Sequence, residues 1–508
     1  MEAEIPVLSR RAFAPKDFCE YQRAHIRRNE GGGGQMKPFV LALIAVLLGA
    51  GYFAHAEDLE IETLQFGRFG TVNLYRKSPH PSRVVLFVSG DGGWNLGVVD
   101  MAKALCTLDA LVVGIDIIHY IKELESSGER CSYPASDFEM LSKFVQKKLN
   151  FSHYVLPVLV GYSSGATLVY GALVQAPPNT FRGAISLGFC PDLFLTKPLC
   201  RGNGLEWKPG PKGKGYSFLP AKELQSPWIG FQGTIDQVCD PVSTEAYVKQ
   251  VKGGEIVLLP KVGHGFSVQR NWMPQFRNTF LRLVEQQKKL SSPDTGELKD
   301  LPLVEVRGRE DAGTEVFAVI VSGDGGWAGL DRELAAVLSA KGLSVVGLNS
   351  LQYFWTRRTP EGAAKDLERI LKHYSAAWNK KKVILIGYSL GADVLPFMAN
   401  RLPYEMRNQV HLIALLGPGR RVDFEFHLTD WVGGSSGSGA LPILPEAEKL
   451  RGIKLLCFCG EEEKDTLCRE LDPGLAKVIV LSGGHHFGGN YAAVAEAILK
   501  EPGLPVQP

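Results

Sequence analysis

Short runs of β-branched and aliphatic residues, most of them bounded by glycine, recur along the chain. Mixed polar and apolar stretches separate them. In the first half six runs read as strands: Arg83–Gly90 (RVVLFVSG), Ala110–Ile117 (ALVVGIDI), Tyr154–Ser163 (YVLPVLVGYS), Gly183–Phe189 (GAISLGF), Trp228–Thr234 (WIGFQGT) and Glu255–Pro260 (EIVLLP). Their apolar positions are nearly continuous, the signature of strands buried on both faces in a parallel sheet. Helical stretches between them, such as Ala166–Ala176 (ATLVYGALVQA), supply the crossovers. The expected class is α/β with mostly parallel sheets, and ligands belong at the carboxyl ends of the strands.

The pattern occurs twice. VSGDGGW stands at Val88–Trp94 and again at Val321–Trp327. VVGIDIIHY (Val112–Tyr120) is answered by VVGLNSLQY (Val345–Tyr353), VLVGYSSGA (Val158–Ala166) by ILIGYSLGA (Ile384–Ala392), and VGHGF (Val262–Phe266) by GGHHF (Gly483–Phe487). Order and approximate spacing are kept, which indicates duplication of one domain of about two hundred residues. The polar stretch Glu285–Asp300 has linker composition. Gly433–Gly439 (GGSSGSG) reads as a surface loop of the second copy. The expected organisation is a first domain over 57–287, a linker over 288–300 and a second domain over 301–508.

The start of the chain has another pattern. From Met36 one lysine is followed by an apolar run, Phe39–Phe53, and then by Ala54-His55-Ala56. This is the layout of a secretory signal, expected over 36–56, and the run is short for a membrane span. Residues 1–35 are polar and end in Gly31–Gly34. They do not fit a secretory signal and are expected to be a mis-called start.

Composition adds limits. The formal net charge is +2 on 508 residues, and 45% of them are hydrophobic. So small a net charge argues against a nucleic-acid partner. Eight cysteines follow Ala56. Export would allow disulfides, and Cys190–Cys200 and Cys459–Cys468 are the expected local bridges, although spacing cannot establish connectivity. No CxxC zinc pattern occurs, and neither a metal nor a cofactor is expected.

The chemistry lies in the repeated motifs. Gly161-Tyr162-Ser163-Ser164-Gly165 and Gly387-Tyr388-Ser389-Leu390-Gly391 are G-x-S-x-G sequences between a strand and a helix. In that context the sharp turn presents the serine hydroxyl. A serine nucleophile needs a base, and the base an orienting acid. These follow in the order Ser, Asp, His: Ser389, Asp465 and His485 in the second copy, Ser163, Asp236 and His264 in the first. Glu461, Glu462 and Glu463 compete with Asp465, Asp240 with Asp236, and His486 with His485. The VSGDGGW loops sit where a second oxyanion donor is expected. Gly92, Gly93, Gly325 and Gly326 are the candidate donor region, beside the Ser164 and Leu390 amides, with Trp94 and Trp327 walling the pockets. No Gly-Lys-Ser/Thr follows these loops, so they do not read as phosphate cradles.

SGDGGW, GYSLGADVLPF and GGHHFGGNY, with GYSSGATLVY and GFCPDL in the first half, resemble the bacterial virulence protein family typified by VirJ and AcvB. The resemblance covers nearly everything after Ala56. It implies two tandem α/β-hydrolase-like domains behind a signal sequence. It also implies a periplasmic serine esterase that cleaves lysyl-phosphatidylglycerol to lysine and phosphatidylglycerol. Carried over, it points to Ser389 as nucleophile, Asp465 as acid and His485 as base. The implied partner is a membrane phospholipid, with an indirect link to type IV secretion. Glu461, Glu462 and Asp393 are carboxylates able to attract the lysyl ammonium groups. Two other readings remain: an esterase or thioesterase for another acyl ester, and an inactive hydrolase fold serving as a binding protein or secretion chaperone.

Overall fold

The computed structural model describes residues 59–286, 296–308, 314–426 and 440–501. The expectations for 1–35, for the signal at 36–56, for the linker as far as 295 and for the loop 433–439 fall outside these residues.

Two separate large sheets form. In the first lobe the strands lie in the order Glu60–Phe66, Gly70–Arg76, Ala110–Ile115, Arg83–Val88, Val158–Tyr162, Gly183–Leu187, Trp228–Gly233, Gly254–Leu259. The first pairs antiparallel with the second and the second antiparallel with the third; the rest run parallel. The second lobe repeats this order without the outermost strand: Leu303–Val306, Val345–Leu348, Val316–Val321, Lys382–Tyr388, Val410–Leu416, Leu455–Gly460, Lys477–Leu481. Only Leu303–Val306 runs antiparallel there.

Burial on both faces explains the continuous apolar runs. Along Arg83–Val88, Val85 and Phe87 enter one core cluster and Leu86 and Val88 the opposite one. The six expected strands of the first half all form. The hairpin Glu60–Arg76 and a small antiparallel sheet of Asp192–Leu193, Tyr216–Phe218 and Trp207–Pro209 are additions, too short or too polar to stand out in the sequence.

One expected strand is shorter than read. It begins at Val158, because Tyr154 is buried in a cluster with Leu351, Trp355 and Phe426 of the other lobe. The Trp355 indole donates to the Phe151 carbonyl at 2.7 Å, and Lys147 pairs with Glu425 at 3.2 Å. The lobes are thus joined by an apolar plug with a polar margin.

The cysteine pairing differs from expectation. The bridges are Cys131–Cys200, Cys190–Cys239 and Cys457–Cys468, while Cys106 and Cys459 are free and buried. Cys200 is held at Cys131 because its amide donates to the Ser132 carbonyl at 2.8 Å. That leaves Cys190 beside the loop carrying Cys239. In the second lobe Cys457 and Cys459 lie two residues apart on one strand, and Cys468 meets the earlier one.

Candidate active site

Each G-x-S-x-G turn is built by the exclusion of side chains. A Cβ at Gly161 would overlap the Gly165 carbonyl, and one at Gly165 the Ser89 carbonyl. Gly387 and Gly391 meet the same limits against Gly391 and Val321. The serine between them takes a left-handed conformation, φ 56° and ψ −123° at Ser163 and φ 52° and ψ −121° at Ser389. Such strain in a non-glycine residue persists only when its surroundings hold it, and it collects at functional sites. Helices Ser164–Gln175 and Leu390–Asn400 start immediately after. Their first amides lack intrahelical partners and point toward the serine.

In the first lobe the three expected residues meet. Ser163 Oγ lies 2.9 Å from His264 Nε2, and His264 Nδ1 lies 2.9 Å from Asp236 Oδ2. Asp236 is buried and held on both oxygens. Oδ1 accepts from the amides of Val238 and Cys239 at 2.8 and 2.9 Å, and Oδ2 from Gln232 Nε2 at 3.1 Å. Asp240 instead caps the helix Pro241–Val248. With both nitrogens of His264 engaged, the ring can take a proton from Ser163 while the buried carboxylate steadies the imidazolium.

In the second lobe the acid is not Asp465. Asp465 is 82% exposed and pairs with Arg420 at 3.1 Å. The carboxylate on the histidine is Glu463, whose Oε1 lies 2.6 Å from His485 Nδ1 and whose Oε2 accepts the Gly460 amide at 2.6 Å. Alignment of the two acid loops at Cys239 and Cys468 favours Asp465, but Gly460–Cys468 is two residues longer than Gly233–Cys239. Counted from the last glycine of the strand, Asp236 and Glu463 both stand third. His485, not His486, takes the position; His486 Nδ1 faces the Tyr388 hydroxyl at 2.9 Å. Among the described residues no hydrogen bond joins Ser389 Oγ to His485, a contact that in free enzymes often tightens only around substrate. The hydrogen bond from His485 to Glu463 raises the pKa of that imidazole.

The tyrosine of each G-Y-S turn also belongs to the site. The Tyr162 hydroxyl donates to the His264 carbonyl at 3.1 Å, and the Tyr388 ring lies 5.3 Å from that of His485. Its presence in both copies was the available signal.

The VSGDGGW loops differ in part from the expectation. The amides of Gly93 and Gly326 donate to the carbonyls of Gly90 and Gly323 at 2.9 and 3.0 Å, closing a turn, so neither is free for an oxyanion. The residues against the nucleophile are Gly90 and Gly323, whose Cβ positions would lie 3.0 Å from Ser163 Cβ and 3.5 Å from Ser389 Cβ. Among the described residues no backbone carbonyl takes the amide of Gly92 or of Gly325, which keeps these two as candidate donors beside Ser164 and Leu390. Trp94 and Trp327 do not wall the pockets. Their indoles turn into the core over Gly114 and Gly347, where a Cβ would overlap the ring. That explains why VVG recurs with GGW. Ser89 and Ser322 accept the amides of Ile117 and Ser350 at 3.1 and 2.9 Å, tying each loop to the next helix.

The position four residues after each serine separates the two sites. Thr167 donates to the Cys190 carbonyl at 2.6 Å, while Asp393 accepts the Gly419 amide at 2.7 Å. Burial pushes the Asp393 carboxyl up to about 7, with His485 and Asp324 near enough to affect it. Glu461 and Glu462 are exposed on the acid loop, with Glu462 Oε2 3.6 Å from where a Cβ on Gly484 would stand. Asp236, Cys239 and His264 lie within 4.8 Å of one another, but the sulfur is bonded to Cys190 and the imidazole faces its acid, so these groups are already engaged. A cleft of about 1200 Å³ between the lobes, lined in part by Arg83, Arg182, Gly326 and Trp327, contains neither serine.

The family model described as Bacterial virulence protein (VirJ) matches residues 82–186 and 315–502. A comparison with curated proteins finds no match. Among solved structures the chain is similar to Est1E from Butyrivibrio proteoclasticus, at 13% identity over 44% of this chain and 99% of that one with a TM-score of 0.31. It is also similar to an alpha-beta serine hydrolase homologue from Coxiella burnetii, at 19% identity over 44% and 96% with a TM-score of 0.30. A putative dienelactone hydrolase from Klebsiella pneumoniae matches at 14% identity over 45% and 98%, with a TM-score of 0.32.

Proposed function

The chain belongs to the bacterial virulence protein (VirJ) family, and on that premise we propose that it is a periplasmic serine esterase that hydrolyses the aminoacyl ester of lysyl-phosphatidylglycerol. The observation that carries this reading is the unbroken chain Ser163–His264–Asp236, with its 2.9 Å contacts, matched by His485 and Glu463 beside a second strained serine. Among the described residues no helix is long and apolar enough to cross a membrane, and the three disulfides are compatible with an exported protein.

The geometry supports the following course. The serine Oγ attacks the lysyl ester carbon as its proton passes to histidine Nε2. The amide after the serine and one from the VSGDGGW loop stabilise the oxyanion, each such donor contributing about 3–4 kcal/mol. The tetrahedral intermediate collapses, and the imidazolium protonates the departing glycerol oxygen of phosphatidylglycerol. Water activated by the same histidine then cleaves the lysyl-serine ester and releases lysine. In the second lobe Asp393 and Asp324 lie where the substrate's ammonium groups could be received, with Glu461 and Glu462 farther out.

The test is lysine release from lysyl-phosphatidylglycerol by the wild type, Ser163→Ala, Ser389→Ala and the double variant. Loss in one single variant assigns the reaction to that lobe, and partial loss in both assigns it to both. Full release by the double variant, or none by the wild type, refutes the proposal.

A further inference from the structure

Twelve large apolar side chains are exposed among the described residues, and six of them lie on the loops or the first helical turns that follow the first lobe's strands: Ile118, Phe194, Ile235, Val238, Val242 and Val268, between 44% and 74% exposed. These loops surround Ser163. Ile235 and Val238 flank Asp236, and Val268 lies four residues past His264. The Cys190–Cys239 bridge fastens the segment leading to Phe194 onto the acid loop. Ile118 reaches the VSGDGGW turn, 3.4 Å from where a Cβ on Gly93 would stand. Apolar exposure gathered on the segments around one site of a folded protein marks an interaction surface.

Among the described residues the second lobe has no such rim. The positions matching Ile235 and Val238 by register from the acid are Glu462 and Asp465. The exposed apolar residues there, Tyr404, Leu441, Val478 and Val480, lie outside the acid and histidine loops.

Charge indicates what covers the rim. Lys212 and Lys214 are exposed on the turn leading into Tyr216–Phe218, which pairs beside Phe194. Lys261 and Arg270 flank Val268 on the histidine loop. None of these four has an ion-pair partner among the described residues. Of the acids on this rim, Asp240 is occupied with Ser243, Asp192 with Ser217 and Glu125 with the Thr196 amide, while Asp91 is exposed on the VSGDGGW turn. Apolar tips ringed by unpaired cations suit a surface with anionic headgroups over hydrocarbon. A protein seated there would cover Ser163, whereas a lipid surface would present an ester to it.

We propose that the mouth of the first lobe docks onto an anionic lipid bilayer through Phe194, Val242, Val268 and their neighbours, with Lys212, Lys214, Lys261 and Arg270 meeting the headgroups. This deepens the esterase reading by naming the surface from which its substrate enters, and depends on that reading only for the substrate's identity.

The full mature chain carrying Ser163→Ala and Ser389→Ala is sedimented with vesicles of phosphatidylcholine alone and of phosphatidylcholine with phosphatidylglycerol. Binding is expected to the mixed vesicles. It should fall about tenfold or more when Phe194→Ser, Val242→Ser and Val268→Ser are added together, and Lys212→Glu with Lys214→Glu should abolish the preference for the anionic lipid. Val480→Ser, on the second lobe, should change nothing. In the otherwise wild-type chain, the three rim substitutions should leave hydrolysis of a soluble short-chain ester intact, which shows that the fold and the triads survive. Failure of the parent protein to bind either vesicle, or equal binding by the rim variant, overturns the proposal. Vesicle binding without any ester hydrolysis by the wild type would leave the docking standing and refute the esterase reading.

Discussion

Glu463 Oε1 lies 2.6 Å from His485 Nδ1, while Asp465, two residues further on, points into solvent against Arg420. Glu463→Gln in a Ser163→Ala background should therefore lower kcat by about 10²–10⁴-fold, because the neutral amide neither fixes the tautomer nor steadies the imidazolium. Asp465→Asn should change kcat by less than about twofold, as expected for an exposed pair. Equal losses would return the acid's role to Asp465.

The same contact has a pH consequence. The hydrogen bond that His485 donates to Glu463 raises the His485 pKa above the ordinary imidazole value of 6.5. A general base must be neutral to act, so the acid limb of Ser389-dependent turnover should lie above 6.5 in the free enzyme. In Glu463→Gln, whatever activity remains should show that limb displaced to lower pH. A limb unmoved by the substitution would separate the titration from His485.

Asp393 offers a separate handle on substrate charge. Its carboxyl, pushed up to about 7 by burial, becomes more ionised as pH rises through that value. Preference for lysyl over alanyl lipid at Ser389 should therefore grow with rising pH. Asp393→Thr, which installs the side chain of the first lobe, should reduce that preference about tenfold, the size of one lost charge-assisted contact. Equal effects on both lipids would dismiss Asp393 as a selector.

The Cys190–Cys239 bridge lies next to the amides that hold Asp236. Replacing both cysteines by serine in a Ser389→Ala background should loosen that loop and lower Ser163-dependent kcat about tenfold to a hundredfold, since small misplacements of catalytic groups are costly. An unchanged kcat would show that Gln232 and the loop's own backbone suffice.

Gly114→Ala and Gly347→Ala should each destabilise their lobe by about 1–3 kcal/mol, because the added methyl overlaps the indole of Trp94 or Trp327. Thermal unfolding would measure it. A Tm equal to the wild type's would mean that the indole does not occupy the space.

Much of this was legible in the chain. Continuous apolar runs identify the parallel strands, since a strand buried on both faces cannot alternate. The exact repeats reveal the duplication. Glycine on either side of Ser163 and Ser389 identifies the turns, because no other residue fits beside those carbonyls. Such features are local: each depends on a few neighbouring residues and their backbone.

What only tertiary structure decided depends on contacts between distant segments. Side-chain length and loop length together selected Glu463 over Asp465. Trp94 and Trp327 left the pocket for the core because a glycine on the adjacent strand vacated the space. Cys200 met Cys131, sixty-nine residues away, rather than its near neighbour Cys190. The two VSGDGGW loops are identical in sequence and brace their serines alike. The difference between the sites came from what the fold brought round them, apolar side chains in the first lobe and carboxylates in the second.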